Sequence, residues 1–364
     1  MSDEFIEAFI SNPTTYLRGK EIEYRKNEEN RYLKKAHYAY LKTRRQDIYD
    51  NLWTTDIHGN IQPLSDDFQR EFLLTKLVEL EAEHNIRQPK TPIRNINTEK
   101  IRKIASRKYK KLSLKVFPKV PEKDFLVRYS KRKYLREAFD EGKIRIQPAS
   151  SYKDPSLNFA QYDEELQHYS VSSNKRITFE TIILDESNGS KKISTPTFLE
   201  LFQYMNIPNF YVLCCSTRFN YRLFHSFDAD AALIIFDKNE FLSRVNSAVS
   251  EKMSLSNFKN GKIGYYDPYK IDKSDLIPYF IKHFRYMYQD EYRLAWEVSS
   301  QVDDLQYAMA QTFQISGKES NNSLQNSSEV RNSIQNFSQS QLQTLDINIG
   351  SMRDIAEFVE LKSV

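Results

Sequence analysis

At Phe125 the spacing of apolar residues changes, and nothing else in this 364-residue chain constrains its fold as strongly. Before that point apolar residues recur at three- and four-residue steps, the mark of helices. After it they alternate or run together in short blocks, the mark of strands. Glu21–Asn51 reads as helical, charged and Tyr-rich. Asp66–His84 carries Phe68, Phe72, Leu73, Leu77 and Leu80 on one face behind an acidic start, which predicts an amphipathic helix. Beyond the switch, FLVRY predicts a strand, Lys131–Glu141 a short helix and Gly142 its stop. Lys143–Gln147 predicts a strand, with Ile144 and Ile146 alternating against Arg145 and Gln147. Tyr211–Ser216 and Ala231–Phe236 are apolar enough for central strands. Arg176–Leu184, Lys262–Tyr266 and Glu291–Val298 predict further strands, and Ser274–Tyr288 a helix. The segment LDINIGSMRDIAEFVEL predicts strand, Gly turn and helix. The sum is an α+β fold: a helical, partly basic N-terminal region over residues 1–120, then a strand-rich domain over 121–364. A Ser/Asn/Gln-rich insertion at 317–344 interrupts that domain.

Several function classes are excluded or disfavoured. The chain has eight glycines, and none form G-x-G-x-x-G or a P-loop. A nucleotide here would be held by side chains. The two cysteines, Cys214 and Cys215, are neighbours; on a strand they point to opposite faces, which argues against a disulfide between them and fits a reducing cytoplasm. No Cys/His spacing suits zinc, and no metal is expected. No stretch approaches the roughly 18 apolar residues of a membrane span. The start MSDEFIEAFISNP lacks the basic and apolar regions of a signal peptide. Net charge is only +4, but the run Glu99–Lys119 concentrates Lys103, Arg107, Lys108, Lys110 and Lys111. That run suits a nucleic-acid backbone, or is simply a solvated helix face.

Four places carry candidate chemistry. Arg128 ends a strand, where a guanidinium can hold phosphate bidentately; otherwise it is a surface arginine or a partner for Glu291. The turn Pro148–Asn158, with Ser151, Tyr152 and Asp154, can bond a ribose or stack a ring, or is merely a stable loop. Ser216, Arg222 and His225 follow a strand end and read as polar groups near a cleft mouth. A Cys215–His225–Asp228 nucleophile is disfavoured, because Cys215 lies in an apolar strand. Gln289 and Glu291, two apart, share a face if both are on a strand. A carboxylate beside a ribose stabilises the oxocarbenium-like state of a breaking glycosidic bond.

At these residues the chain resembles the ADP-ribosyltransferase superfamily, over about residues 125–300 plus the C-terminal strand. LVRYS, FDEGKIRI, YKDPSLN and QDEYR follow the order of its motifs, and Cys215-Ser216-Thr217 stands near the place of its Ser-Thr-Ser strand. The likeness is to bacterial members, including nucleic-acid-modifying toxins. It implies split sheets around an NAD cleft. Arg128 would bind NAD phosphate or ribose, and Tyr129, Ser151 and Tyr152 would line the nicotinamide side. Asp154, Ser216 and Arg222 would complete the cofactor contacts. Glu291 would be the catalytic carboxylate and Gln289 part of a Gln-x-Glu acceptor motif. The acceptor would be a nucleic acid or a protein side chain, and a toxin role in antiphage defence would bring an antitoxin partner. Two rivals stand beside this: a non-catalytic nucleic-acid-binding or scaffold protein, and a metal-dependent nuclease built on Asp163, Glu164 or nearby acids.

Overall fold

The computed structural model describes residues 22, 26, 31–34, 36–56, 58–64, 66–88, 114, 118–122, 124–173, 182–184, 191–193, 200–253, 256–270, 277–298, 312–316 and 342–362. The basic residues Lys103, Arg107, Lys108, Lys110 and Lys111 and most of the Ser/Asn/Gln-rich insertion lie outside them.

The N-terminal layer has helices α1 (Tyr38–Asn51) and α2 (Asp67–Arg87), separated by a hairpin of β1 (Trp53–Thr55) and β2 (Ile61–Pro63). Asp66 caps α2 by accepting the Gln69 N–H at 2.9 Å. Leu73, Leu77 and Leu80 are fully buried, as their spacing predicts, whereas Phe68 is 79% exposed. The first turn of α2 is anchored by the polar side chains of Asp66 and Gln69 instead.

The strand-rich part begins with β3 (Leu126–Ser130), α3 (Arg132–Glu141) and β4 (Lys143–Pro148). Gly142 ends α3 at φ 72°, in the left-handed region, and a Cβ there would also collide with the Gly350 backbone. After a 3₁₀ turn, Ala149–Lys153, come β5 (Gln167–Ser173), β6 (Ile182–Leu184), β7 (Lys191–Ile193), β8 (Glu200–Asn206) and β9 (Phe210–Ser216). Then follow α4 (Tyr221–Ser226), β10 (Ala231–Ile235), α5 (Lys238–Lys252), β11 (Ser256–Lys262), β12 (Gly264–Tyr266), β13 (Ile281–His283) and β14 (Glu291–Val298). β15 (Thr312–Ser316), β16 (Leu345–Asn348) and β17 (Ala356–Glu360) complete the set.

The main sheet runs β11-β14-β9-β3-β10-β17, all antiparallel. It forks at β9. The strand's start pairs with β4 at Val212 and Tyr211, whereas its end meets β3 only at Ser216, opposite Val127. β16 pairs with β4 on the far side of that branch. α3 leads from β3 into β4, and its Leu135 and Ala138 join a core with Leu126, Ile144, Ile146, Leu213, Cys215 and Leu233. β9 alternates cleanly: Tyr211, Leu213 and Cys215 face that core, while Val212 and Cys214 face a smaller cluster with Ala149, Tyr279 and Ala295. The architecture is therefore α+β, with antiparallel pairing in the main sheet and a short parallel pair of β12 and β13.

Three expectations need correction. No continuous helix occupies Ser274–Tyr288: among its described residues, Pro278–Phe280 and Phe284–Gln289 are 3₁₀ turns flanking β13. Residues 356–360 form an edge strand rather than a helix, because Ala356–Glu360 fill the ladder position beside β10. Strand character does not run unbroken from Lys262 to Tyr266: β11 ends, Ile263 donates its N–H to the Glu291 carbonyl (3.0 Å), and β12 begins. Of Arg176–Leu184, only Ile182–Leu184 falls among the described residues, paired with β7.

The boundary drawn at residue 120 is crossed by packing. One apolar cluster joins Leu33, Leu41, Ile48, Leu73 and Leu77 to Tyr269, Phe284 and Met287. A buried ion group reinforces it: Arg44 grips both oxygens of Asp267 (2.8 and 2.6 Å), and Lys76 adds a third contact at 3.1 Å. Among the described residues, no helix is long and apolar enough to cross a membrane.

Candidate active site around Glu291

β14 begins at Glu291 because the preceding turn sets it there. Phe284–Gln289 winds as a 3₁₀ turn, and Asp290 closes it at φ 44°. A non-glycine residue in that region is held by its surroundings. The Asp290 carbonyl accepts Thr217 N–H (2.8 Å), and its carboxylate takes Gln69 Nε2 (2.7 Å) and Arg218 Nε (3.1 Å). The Glu291 N–H is received by the Tyr265 hydroxyl at 2.9 Å.

Glu291 is 5% exposed, and both of its carboxylate oxygens accept from cations. Oε1 accepts from Arg293 Nε (2.9 Å) and Nη2 (2.8 Å); Oε2 accepts from Lys282 Nζ (3.0 Å). Arg293, wholly buried, also forks onto Glu165 (2.8 and 2.9 Å), and Lys282 reaches Asp163 (3.3 Å) and Glu165 (3.4 Å). Three acids thus share two bases. Burial alone would raise the pKa of Glu291, but Arg293 and Lys282 outweigh it and hold the group lowered to about 2. Asp163 goes the other way: burial raises it to about 6 despite Lys282. Arg293 stands in the same QDEYR stretch as Glu291, and Lys282 lies nine residues before Glu291, whereas Glu165 is recruited from 128 positions before Arg293. Among the described residues no group of three or more His, Cys, Asp or Glu side chains could hold a metal ion.

Register sets the Arg128 strand two strands from this carboxylate, and alternation places Arg128 on the sheet face opposite Val127 and Glu291. Val127 pairs with Ser216, and Ser216 pairs with Glu291, so two strand spacings of about 4.8 Å separate the lines. Arg128 is the next residue along β3. It is half-buried, and its Nη1 is buried without a hydrogen-bond partner. Tyr152 and Cys215 each feel the charges of both Arg128 and Glu291. Burial, with Cys214 adding to it, raises the Tyr152 hydroxyl, and Tyr152 packs on the cluster that includes Ala149 and Tyr279. Burial pushes the Cys215 thiol up to about 11, which removes the thiolate a nucleophile needs.

The other expected residues divide. Ser216 is buried at the strand end; its hydroxyl donates to the Arg218 carbonyl (3.0 Å) and accepts the Arg218 N–H (3.2 Å). Ser151 is half-buried in the 3₁₀ turn that carries Tyr152. Asp154 is exposed and folds its own turn by accepting the Ser156 N–H at 2.8 Å. Tyr129 points to the face opposite Arg128, as strand neighbours must, and its hydroxyl accepts the Asn220 N–H at 2.7 Å. Arg222 is buried, donates to the Asp50 carbonyl and stacks 3.5 Å over Tyr288, so it ties α4 to the N-terminal layer. Gln289 sits on the 3₁₀ turn rather than on the strand with Glu291, and its amide donates to the Ala160 carbonyl at 2.8 Å. The face shared by Gln289 and Glu291 in an extended strand is therefore not formed.

No family model, no curated protein and no solved structure matches this chain.

Proposed function

We propose that the protein is an NAD-dependent ADP-ribosyltransferase of the split-sheet type, acting on a nucleic-acid or protein acceptor. The observation that carries the reading is Arg128. A half-buried guanidinium with an orphaned nitrogen, within electrostatic reach of Tyr152, is costly to the fold unless an anion completes it. A pyrophosphate is such an anion, and no Gly-rich loop competes for the role. NAD would supply a ribosyl carbon whose bond to nicotinamide breaks, the electron pair leaving with nicotinamide; the acceptor heteroatom bonds to that carbon and gives up its proton. Glu291 stays ionised throughout the neutral range and suits a ribose hydroxyl and growing positive charge. Oε2 takes one donor, from Lys282, which leaves a lone pair for a hydroxyl. Tyr152 offers a ring beside both charges. The acceptor's class rests on the basic run at 99–119 and on the resemblance.

A second reading has its own support. The carboxylate of Glu291 is already satisfied by two cations, as in a purely structural ion cluster. On that reading the protein keeps the fold without the activity and binds nucleic acid through its basic run.

Arg128→Met separates the two. Removing an unpaired half-buried cation should leave the melting temperature unchanged or higher. In the wild type, NAD should raise the melting temperature and nicotinamide should be released. In the variant both should vanish. Wild-type protein that neither binds NAD nor releases nicotinamide, with or without RNA and DNA, overturns the transferase reading; salt-sensitive RNA or DNA binding then supports the second.

A further inference from the structure

The turn that delivers Glu291 is braced from outside its own domain, and the contacts converge on one buried side chain. Asn51, the last residue of α1, is 1% exposed. Its amide nitrogen donates to the Arg285 carbonyl (3.0 Å) and to Asp47 O (2.7 Å), and its amide oxygen accepts the Tyr288 N–H (2.7 Å). Both ends of the 3₁₀ turn Phe284–Gln289 are thus clipped to α1 by one amide. A 3₁₀ turn satisfies its own backbone poorly, so external partners decide whether it persists. A second brace lies at its exit, where Gln69 Nε2 from α2 holds the Asp290 carboxylate at 2.7 Å, one residue before Glu291.

We infer that Asn51 is a positioning residue for Glu291, and that the N-terminal helical layer is a structural component of the candidate site rather than a separate binding module. The inference rests on the transferase reading for its catalytic consequence. The geometric part stands without it.

The chemistry requires the carboxylate to meet the reacting ribose within a fraction of an ångström, and misplacement by about 1 Å costs up to about a hundredfold in rate. Asn51→Ala removes the partner that α1 gives to the Tyr288 N–H and the Arg285 C=O, so the turn can relax away from its helical clip. Gln69 is half-buried, and Gln69→Ala cuts the second brace without opening the core.

Both variants would be compared with wild type by three readouts: thermal melting, hydrogen exchange over residues 284–291, and kcat and KM for nicotinamide release. Faster exchange confined to 284–291 is expected in each. With it should come a fall in kcat of about tenfold or more and a KM for NAD within about twofold of wild type. Unchanged exchange in both variants overturns the brace. Changed exchange with wild-type kcat overturns the positioning role. If Asn51→Ala does not fold, Gln69→Ala decides by the same two criteria. Wild-type protein that releases no nicotinamide overturns the transferase reading instead, and the exchange data then judge the brace alone.

Discussion

Glu291 and Arg128 stand two strands apart, and the fold treats them oppositely. Glu291 is matched by two bases, while a buried nitrogen of Arg128 is matched by none. The first is therefore a stability residue whatever else it does. Its pKa is lowered to about 2 in the folded protein, against an ordinary carboxylate value near 4.5. The unfolded chain binds its proton first as pH falls, so the stabilisation is complete above about pH 4.5 and fades as pH drops towards 2. Glu291→Gln should cost about 3 kcal/mol at pH 7. Urea unfolding at pH 7 and pH 3 should show that cost shrinking on the acid side; an equal cost at both would mean that charge is not what Glu291 contributes. The strand start at Glu291 was legible, but Arg128, expected at a strand end, lies in the middle of β3, because the ladder with β10 continues through Tyr129 and Ser130. Arg293 stands in the same QDEYR motif as Glu291, but the ion group it forms with Glu165 and Lys282 was not legible. Arg293 and Glu165 are 128 positions apart, and only the folded sheet brings them together.

Among elements, the strand–helix–strand unit β3–α3–β4 was read correctly because each part has its own local cause: alternation in β4, a left-handed glycine at the end of α3. Gly142 and Gly350 test that logic as a pair. Both have positive φ, at 72° and 75°, but a Cβ at Gly142 meets backbone and one at Gly350 meets open space. Gly350→Ala should cost about 1 kcal/mol, the strain of the left-handed region alone. Gly142→Ala should cost clearly more, and calorimetry that ranks them equal would show the 142–350 contact to be slack. Where an element depends on a distant neighbour, its sequence misleads. The run before Glu291 reads as a helix, yet it is broken into 3₁₀ turns, one of which Asn51 bonds from outside at Arg285 and Tyr288. Ala356–Glu360 has a helix-compatible pattern, and the open ladder beside β10 makes it a strand.

For the whole molecule, the apolar cluster that crosses residue 120 predicts a single cooperative unit. Residues 121–364 alone would leave Tyr269, Phe284 and Met287 without Leu33, Leu41 and Leu77, and Asp267 without Arg44 and Lys76. An uncompensated buried carboxylate typically costs several kcal/mol. Calorimetry of the full chain should show one transition, and the 121–364 fragment should show none, with loss of near-ultraviolet dichroism. A fragment that melts cooperatively would make the N-terminal layer an independent domain. The forked sheet has a further consequence for how the chain is made. β4 waits for β16 and β10 waits for β17, and both partners come from residues 345–360. Every strand bearing Arg128, Ser216 or Glu291 is synthesised before those residues exist. During translation the two charged groups are therefore held in an unfinished sheet, and the outer ladders of β4 and β10 close only once residues 345–360 have left the ribosome.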